Sequence, residues 1–136
     1  MKPKLILVRG LPGSGKSTIA RQFEKLGFVH VEADQHFMVS GEYKFDASKL
    51  HIAHQQCLLN ARVCLEGFQS CVVSNTFTTK RELEPYFKLA SEFEIVPVVL
   101  LAQNDFGNVH DVPKETLAKM RGRFEYDISS LFVRGW

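Results

Sequence analysis

A chain of 136 residues, 45% apolar and 24% charged, has the size of one ordinary domain and enough apolar matter for a core. Its net charge of +2 is too weak to argue for nucleic acid on electrostatics. Three cysteines do not make a disulfide scaffold, and no apolar run reaches the roughly 18 residues of a membrane span. With a strand expected at the very start, the chain leaves no room for a signal peptide. We therefore expect a cytoplasmic protein of one domain, 1–136, with a core over 1–126 and a tail over 127–136.

Lys4 to Arg9 (KLILVR) is an apolar run of strand length. It leads into Gly10-Leu11-Pro12-Gly13-Ser14-Gly15-Lys16-Ser17, with Thr18 behind it, which fits G-x-x-x-x-G-K-[ST] at every fixed position. Ser17 to Leu26 then carries Ile19, Ala20, Phe23 and Leu26 at helical spacing. A strand, a glycine-rich turn and a helix follow in the order that a phosphate loop (Walker A) requires. Gly10, Gly13 and Gly15 let the main chain wrap a triphosphate with its N–H groups inward. The positive end of the following helix adds to the attraction. Lys16 would neutralise the β- and γ-phosphates, and the Ser17 hydroxyl would reach Mg2+. The motif implies a nucleoside triphosphate, such as ATP, bound with Mg2+. It does not say what happens to the phosphate.

Gly27 stops the first helix. Phe28 to Glu32 (FVHVE) reads as a second strand. Asp34 follows it on the sheet edge where open α/β sheets bind ligands. There it could accept a proton from an attacking hydroxyl, hold waters of the Mg2+ shell, or only cap a turn. Met38 to Asp46 shows no period and reads as a loop. Asp46 caps a long helix, Ala47 to Glu66, with a stripe of Leu50, Ala53, Cys57, Ala61, Cys64 and Leu65. The three cysteines read as small buried hydrophobes. His51 and His54 have no supporting ligand at metal spacing.

Ser70 to Asn75 is a third strand, ending in Ser74 and Asn75 where many phosphate-loop proteins hold metal with an aspartate. Thr79-Lys80-Arg81-Glu82 is a capping box, and Pro85 predicts a kink or restart of the helix behind it. Phe93 to Leu101 is a fourth strand. Pro97 inside it predicts an edge position and a sheet of order 2-3-1-4. After a polar loop, Pro113 opens a last helix bearing Leu117, Met120 and Phe124. Near its end Arg121 and Arg123 either touch the nucleotide base or transferring phosphate, or simply suit a helix C-terminus. The tail, with Leu131, Phe132, Val133 and Trp136, is apolar enough to pack against the domain or a partner.

LILVRGLPGSGKST, FVHVEADQHF, Tyr43-Lys44-Phe45-Asp46, Ala53-His54, Ser74-Asn75-Thr76 and Asn108-Val109-His110-Asp111-Val112-Pro113 stand in the order seen in polynucleotide-5′-hydroxyl-kinase-like P-loop proteins. This resemblance to an AAA-type P-loop family runs from Leu5 to about Tyr126. It implies a three-layer α/β fold with a mostly parallel central sheet and phosphotransfer from ATP to a hydroxyl. Asp34 would be the general base, and lid arginines would serve the migrating phosphoryl group. The chain departs from the pattern at Gly107, where many relatives have a lid arginine, and at Ser74, where many have an aspartate. It departs again at Phe77, where they have an asparagine, and at Gln35 and Phe37 beside the base. Arg121 and Arg123 would be the substitutes. The acceptor is left open between a nucleic-acid 5′ end and a small molecule, a sugar nucleotide included. The departures leave a second reading, a nucleotide-binding module that hydrolyses slowly or not at all. The oligomeric state is not legible.

Overall fold

The computed structural model describes residues 2–105 and 112–133. The central sheet has four parallel strands: β1 (Leu5–Arg9), β2 (Val29–Val31), β5 (Cys71–Asn75) and β6 (Val98–Leu101). They lie in the order β2-β5-β1-β6, which is the expected 2-3-1-4. The helices are α1 (Lys16–Lys25), α2 (Leu50–Glu66), α3 (Lys80–Glu92) and α4 (Lys114–Arg123).

Alternation along the strands builds the layers. Leu5 and Leu7 of β1, with Cys71 and Val73 of β5, face the larger core, which takes in Ala53, Cys57, Ala61 and Leu65 of α2 and Leu83, Tyr86, Phe87 and Leu89 of α3. Ile6, Val8 and Val72 face the other side, where Ala20, Ile19 and Phe23 of α1 cover them. The sheet thus sits between α1 on one side and α2 with α3 on the other, so β1 and β5 are buried on both faces.

Several expectations need correction. The stripe on α2 is narrower than expected: Leu50 is exposed and Cys64 only half-buried. Asp46 does cap that segment, accepting from the Ser48 N–H, but Ala47–Lys49 is a 3-10 turn before the α-helix begins. Met38 to Asp46 is not all loop. β3 (Met38–Val39) and β4 (Glu42–Tyr43) form a small antiparallel hairpin. Ser40 and Gly41 turn it with φ of 51° and 81°, the positive values a two-residue hairpin needs.

Thr79 and Glu82 make the capping box, and α3 runs as one helix through Pro85. That proline is only five residues past Lys80, so a single ladder bond is lost. The chain turns out of α3 at Phe93 and at Glu94, whose φ is 56°. The last strand therefore starts at Val98, with Pro97 just before it. It is an edge strand, as the proline implied. Pro113 stands at the N-cap of α4 and not within its first turn. The tail is anchored by Leu131, which is buried in the larger core, and by Phe132, whose ring packs edge-on against Phe87. Gly107, the 108–111 segment and Trp136 lie outside the described residues.

Candidate functional site

The turn between β1 and α1 is fixed by main-chain hydrogen bonds, one within it and two to neighbouring segments. The Gly10 N–H donates to Thr76 O (3.2 Å), the Ser14 N–H to Leu11 O (3.1 Å), and the Asn104 N–H to Ser14 O (3.1 Å). Gly13 and Gly15 have φ of 78° and 97°, open to glycine and strained for other residues. Gly10 has a different reason. A Cβ there would collide with Ser14 Oγ and lie 2.7 Å from Ala102 O, so the position is set by space.

Gly15 caps α1 without a side chain, so the first-turn N–H groups keep their donors for a ligand. Ser14 is 4% exposed, and its Oγ has no hydrogen-bond partner. A buried hydroxyl left unsatisfied costs about 1–3 kcal/mol. A phosphate oxygen would remove that cost. Residues and vacant donors therefore fit the polyphosphate that the motif implies. Gly10→Ala is expected to destabilise the protein by about 1–3 kcal/mol through overpacking and to weaken nucleotide binding. Urea melts and an ATP titration check both.

The Lys16 ammonium donates to Leu11 O (3.0 Å). Burial lowers its pKa from 10.5 to about 8, while the charges of Asp34 and Glu32 pull it the other way. Below pH 8 Lys16 is charged folded and unfolded alike, and burying the charge costs stability. Between about 8 and 10.5 the folded state is neutral and the unfolded state charged, so stability of the empty protein rises with pH across that window. A triphosphate would return the proton. ATP binding is thus expected to take up close to one proton near pH 9 and to weaken as pH climbs past about 8. Calorimetry in buffers of differing ionisation heat reads that uptake, and its absence contradicts the assignment.

Asp34 lies on a 3-10 turn, Ala33–Phe37, straight after β2. Two contacts place it. The Ala33 N–H donates to Asn75 Oδ1 at the end of β5 (2.9 Å), and the Tyr43 hydroxyl donates to Asp34 Oδ1 (3.3 Å). Burial and then the Asp34 charge push the Tyr43 pKa up to about 12, so the phenol stays protonated. Nothing local to either residue signals that Asn75 holds this turn or that the hairpin carries Tyr43 to it.

The next missed feature is Glu32. Its Oε2 accepts from the Ser74 hydroxyl (2.9 Å) and lies 3.5 Å from His30 Nε2, which is 2.6 Å from Ser74 Oγ. Burial raises the Glu32 pKa, but bonds to His30 and Ser74 and the Lys16 charge outweigh it and hold the carboxyl below its usual range.

Arg9 was missed as well. It ends β1 and is 1% exposed. Its Nε and Nη2 donate to Phe77 O (3.0 and 2.6 Å), and the guanidinium stands 4.3 Å over the Phe124 ring. Phe77 has a φ of 46°, so Arg9 clamps a strained residue just beyond β5.

Of the remaining candidates, Leu11, Pro12 and Ser17 are half-buried in the loop and the helix start, and Thr18 is exposed. Arg121 is exposed on α4. Arg123 is exposed too, with its Nε donating to Thr78 Oγ1 (3.3 Å). The hydrogen bonds described for these two arginines do not reach the phosphate loop. Cys57 and Cys71 are buried and Cys64 half-buried. Burial pushes all three thiol pKa values up, which agrees with cysteines acting as small hydrophobes. No helix among the described residues is long and apolar enough to cross a membrane.

Comparison with known proteins completes the picture. The chain is 30% identical over 139 residues to NEDD4-binding protein 2 of Homo sapiens, covering 92% of this chain and 8% of that protein. The solved structures that share the fold include these three. One is a chain of the Pnkp1/Rnl/Hen1 complex (TM-score 0.62, 24% identity, 87% of this chain and 38% of that one). Kti12 of Chaetomium thermophilum, in complex with ADP-AlF3, is another (TM-score 0.67, 15% identity, 89% and 80%). A gluconokinase of Sinorhizobium meliloti 1021 is the third (TM-score 0.60, 17% identity, 90% and 75%). The chain thus spans a small part of the first two proteins' lengths. The AAA domain family matches residues 5–126. On that match and on the loop, sheet order and layers described above, the chain belongs to the AAA domain family and has a P-loop kinase-like fold.

Proposed function

We propose that the protein binds ATP with Mg2+ and passes the γ-phosphate to a hydroxyl. The observation that carries this reading is the Gly10–Ser17 turn, with its buried unsatisfied Ser14 hydroxyl, its two positive-φ glycines and the partly desolvated Lys16 beside it. Ser17 and Asp34 are oxygen donors of the kind that would hold Mg2+, which would offset the charge of the phosphates.

Lys16 would bind the β- and γ-phosphates. Asp34 would accept the proton of the attacking hydroxyl, held in place by Tyr43 and by Asn75. As the hydroxyl oxygen bonds to the γ-phosphorus, the bond to the bridging oxygen breaks and ADP leaves. Arg121 or Arg123 would cover the product side. The likeness in fold to Kti12, solved with ADP-AlF3, and to a gluconokinase supports nucleotide binding and transfer to a hydroxyl.

A second reading, an ATP-binding module without transfer, draws on Ser74 in place of a carboxylate and on the exposed positions of Arg121 and Arg123. Incubation with γ-labelled ATP and a panel of 5′-hydroxyl oligonucleotides, nucleosides and small alcohols separates them. Label on an acceptor supports transfer. ADP release or tight binding without labelled acceptor supports the module.

A further inference from the structure

We propose that Glu32 supplies the cation-side carboxylate that this chain lacks at Ser74, delivered from the neighbouring strand. The inference rests on the nucleotide-binding reading and assigns one more residue to that site. Parallel pairing of β2 with β5 sets Val31 beside Val73. Ser74 is the next residue on β5, and Glu32 is the first residue past the end of β2, at the sheet end where the phosphate loop begins. Relocation therefore needs a step of only one strand.

The hydrogen bonds aim the carboxylate. A serine hydroxyl has one proton, and Ser74 gives it to Glu32 Oε2. The 2.6 Å contact must then be donated by the His30 Nε2–H to Ser74 Oγ. His30, Ser74 and Glu32 form a directed chain in which the serine works as an arm orienting the carboxylate. These contacts fall on Oε2, and Oε1 takes neither.

The charge of Glu32 reaches Lys16, so it acts at the loop that binds phosphate. Among the described residues no group of three or more His, Cys, Asp or Glu could hold a metal ion unaided. A cation at this site would then arrive with the nucleotide. One hydroxyl from Ser17, one or two carboxylates and phosphate oxygens make a set suited to Mg2+.

The test is calorimetry of a non-hydrolysable ATP analogue, with Mg2+ and with EDTA. In the unmodified protein Mg2+ is expected to tighten binding by about tenfold or more. Glu32→Gln should bring that ratio close to one with EDTA binding retained, and adding Ser74→Asp should restore much of it. An unchanged Mg2+ ratio in Glu32→Gln overturns the inference and leaves nucleotide binding standing. If the unmodified protein binds no nucleotide in either condition, the ATP reading and this inference fall together. Should the amide variant melt below the working temperature, Glu32→Cys takes its place. It should lose the response to Mg2+ and gain one to Cd2+ beyond that of the unmodified protein, whereas identical Cd2+ responses overturn the assignment.

Discussion

An Asp34→Asn variant is expected to bind ATP at pH 7 about as well as the unmodified protein and to transfer phosphate about 10²- to 10⁴-fold more slowly, the usual contribution of a positioned base. The amide keeps the shape of the side chain and an oxygen for the Tyr43 hydroxyl. It removes the basicity and, with it, the negative charge. The pH matters, because the Asp34 charge helps keep Lys16 protonated. Without it Lys16 would lose its proton at lower pH, and above pH 8 the variant would also bind poorly. At pH 7 the two effects separate. Single-turnover transfer from γ-labelled ATP gives the answer: transfer within threefold of the unmodified rate would remove Asp34 from the role of base. Tyr43→Phe should cost far less, since the contact it deletes is long.

Arg9→Met should destabilise the fold by about 3 kcal/mol, which for a chain of this size is close to ten degrees in melting temperature. Two opposing quantities set the figure. Burial of the guanidinium is unfavourable, and it lowers the Arg9 pKa against the opposing charges of Glu82, Glu125 and Tyr126. Methionine avoids that cost. It leaves Phe77 O without its donors and takes the cation from the Phe124 ring. Hydrogen bonds from a charged donor and a desolvated cation–π contact are together worth more than the relief. Phe77, at positive φ, also loses the group that holds it, and such a residue carries about 1–3 kcal/mol of strain. A double-mutant cycle with Phe124→Leu should show coupling between the two sites. Urea midpoints that differ by less than experimental error would show that Arg9 is only a passenger in the core.

These two predictions differ in how far the sequence foreshadowed them. The position of Asp34 was legible because its signal is local: a strand, then a carboxylate, at a known edge of an α/β sheet. The phosphate loop, the capping box at Thr79 and the edge position announced by Pro97 are local in the same sense. Arg9 was not legible, because its partners Phe77 and Phe124 come from distant parts of the chain and nothing near Arg9 announces them. Glu32 was hidden for the same reason. It ends an alternating strand like any solvent-facing glutamate, and only the pairing of β2 with β5 reveals Ser74 beside it. The hairpin at Met38 to Tyr43 is a different failure. Its Ser40-Gly41 turn signal was there to be seen, but two-residue strands are too short to show a period.

The strand order has a consequence for how the protein is made. Of the strands in the central sheet, β1 leaves the ribosome before the others, yet its neighbours β5 and β6 are the last two of them to follow. Until Cys71–Asn75 and then Val98–Leu101 have left the exit tunnel, Leu5–Arg9 is a greasy ribbon with both backbone edges open, a form prone to sticking to other chains. Ribosome-stalled nascent chains ending before Cys71 should therefore recruit chaperones, and those extending well past Leu101 should release them.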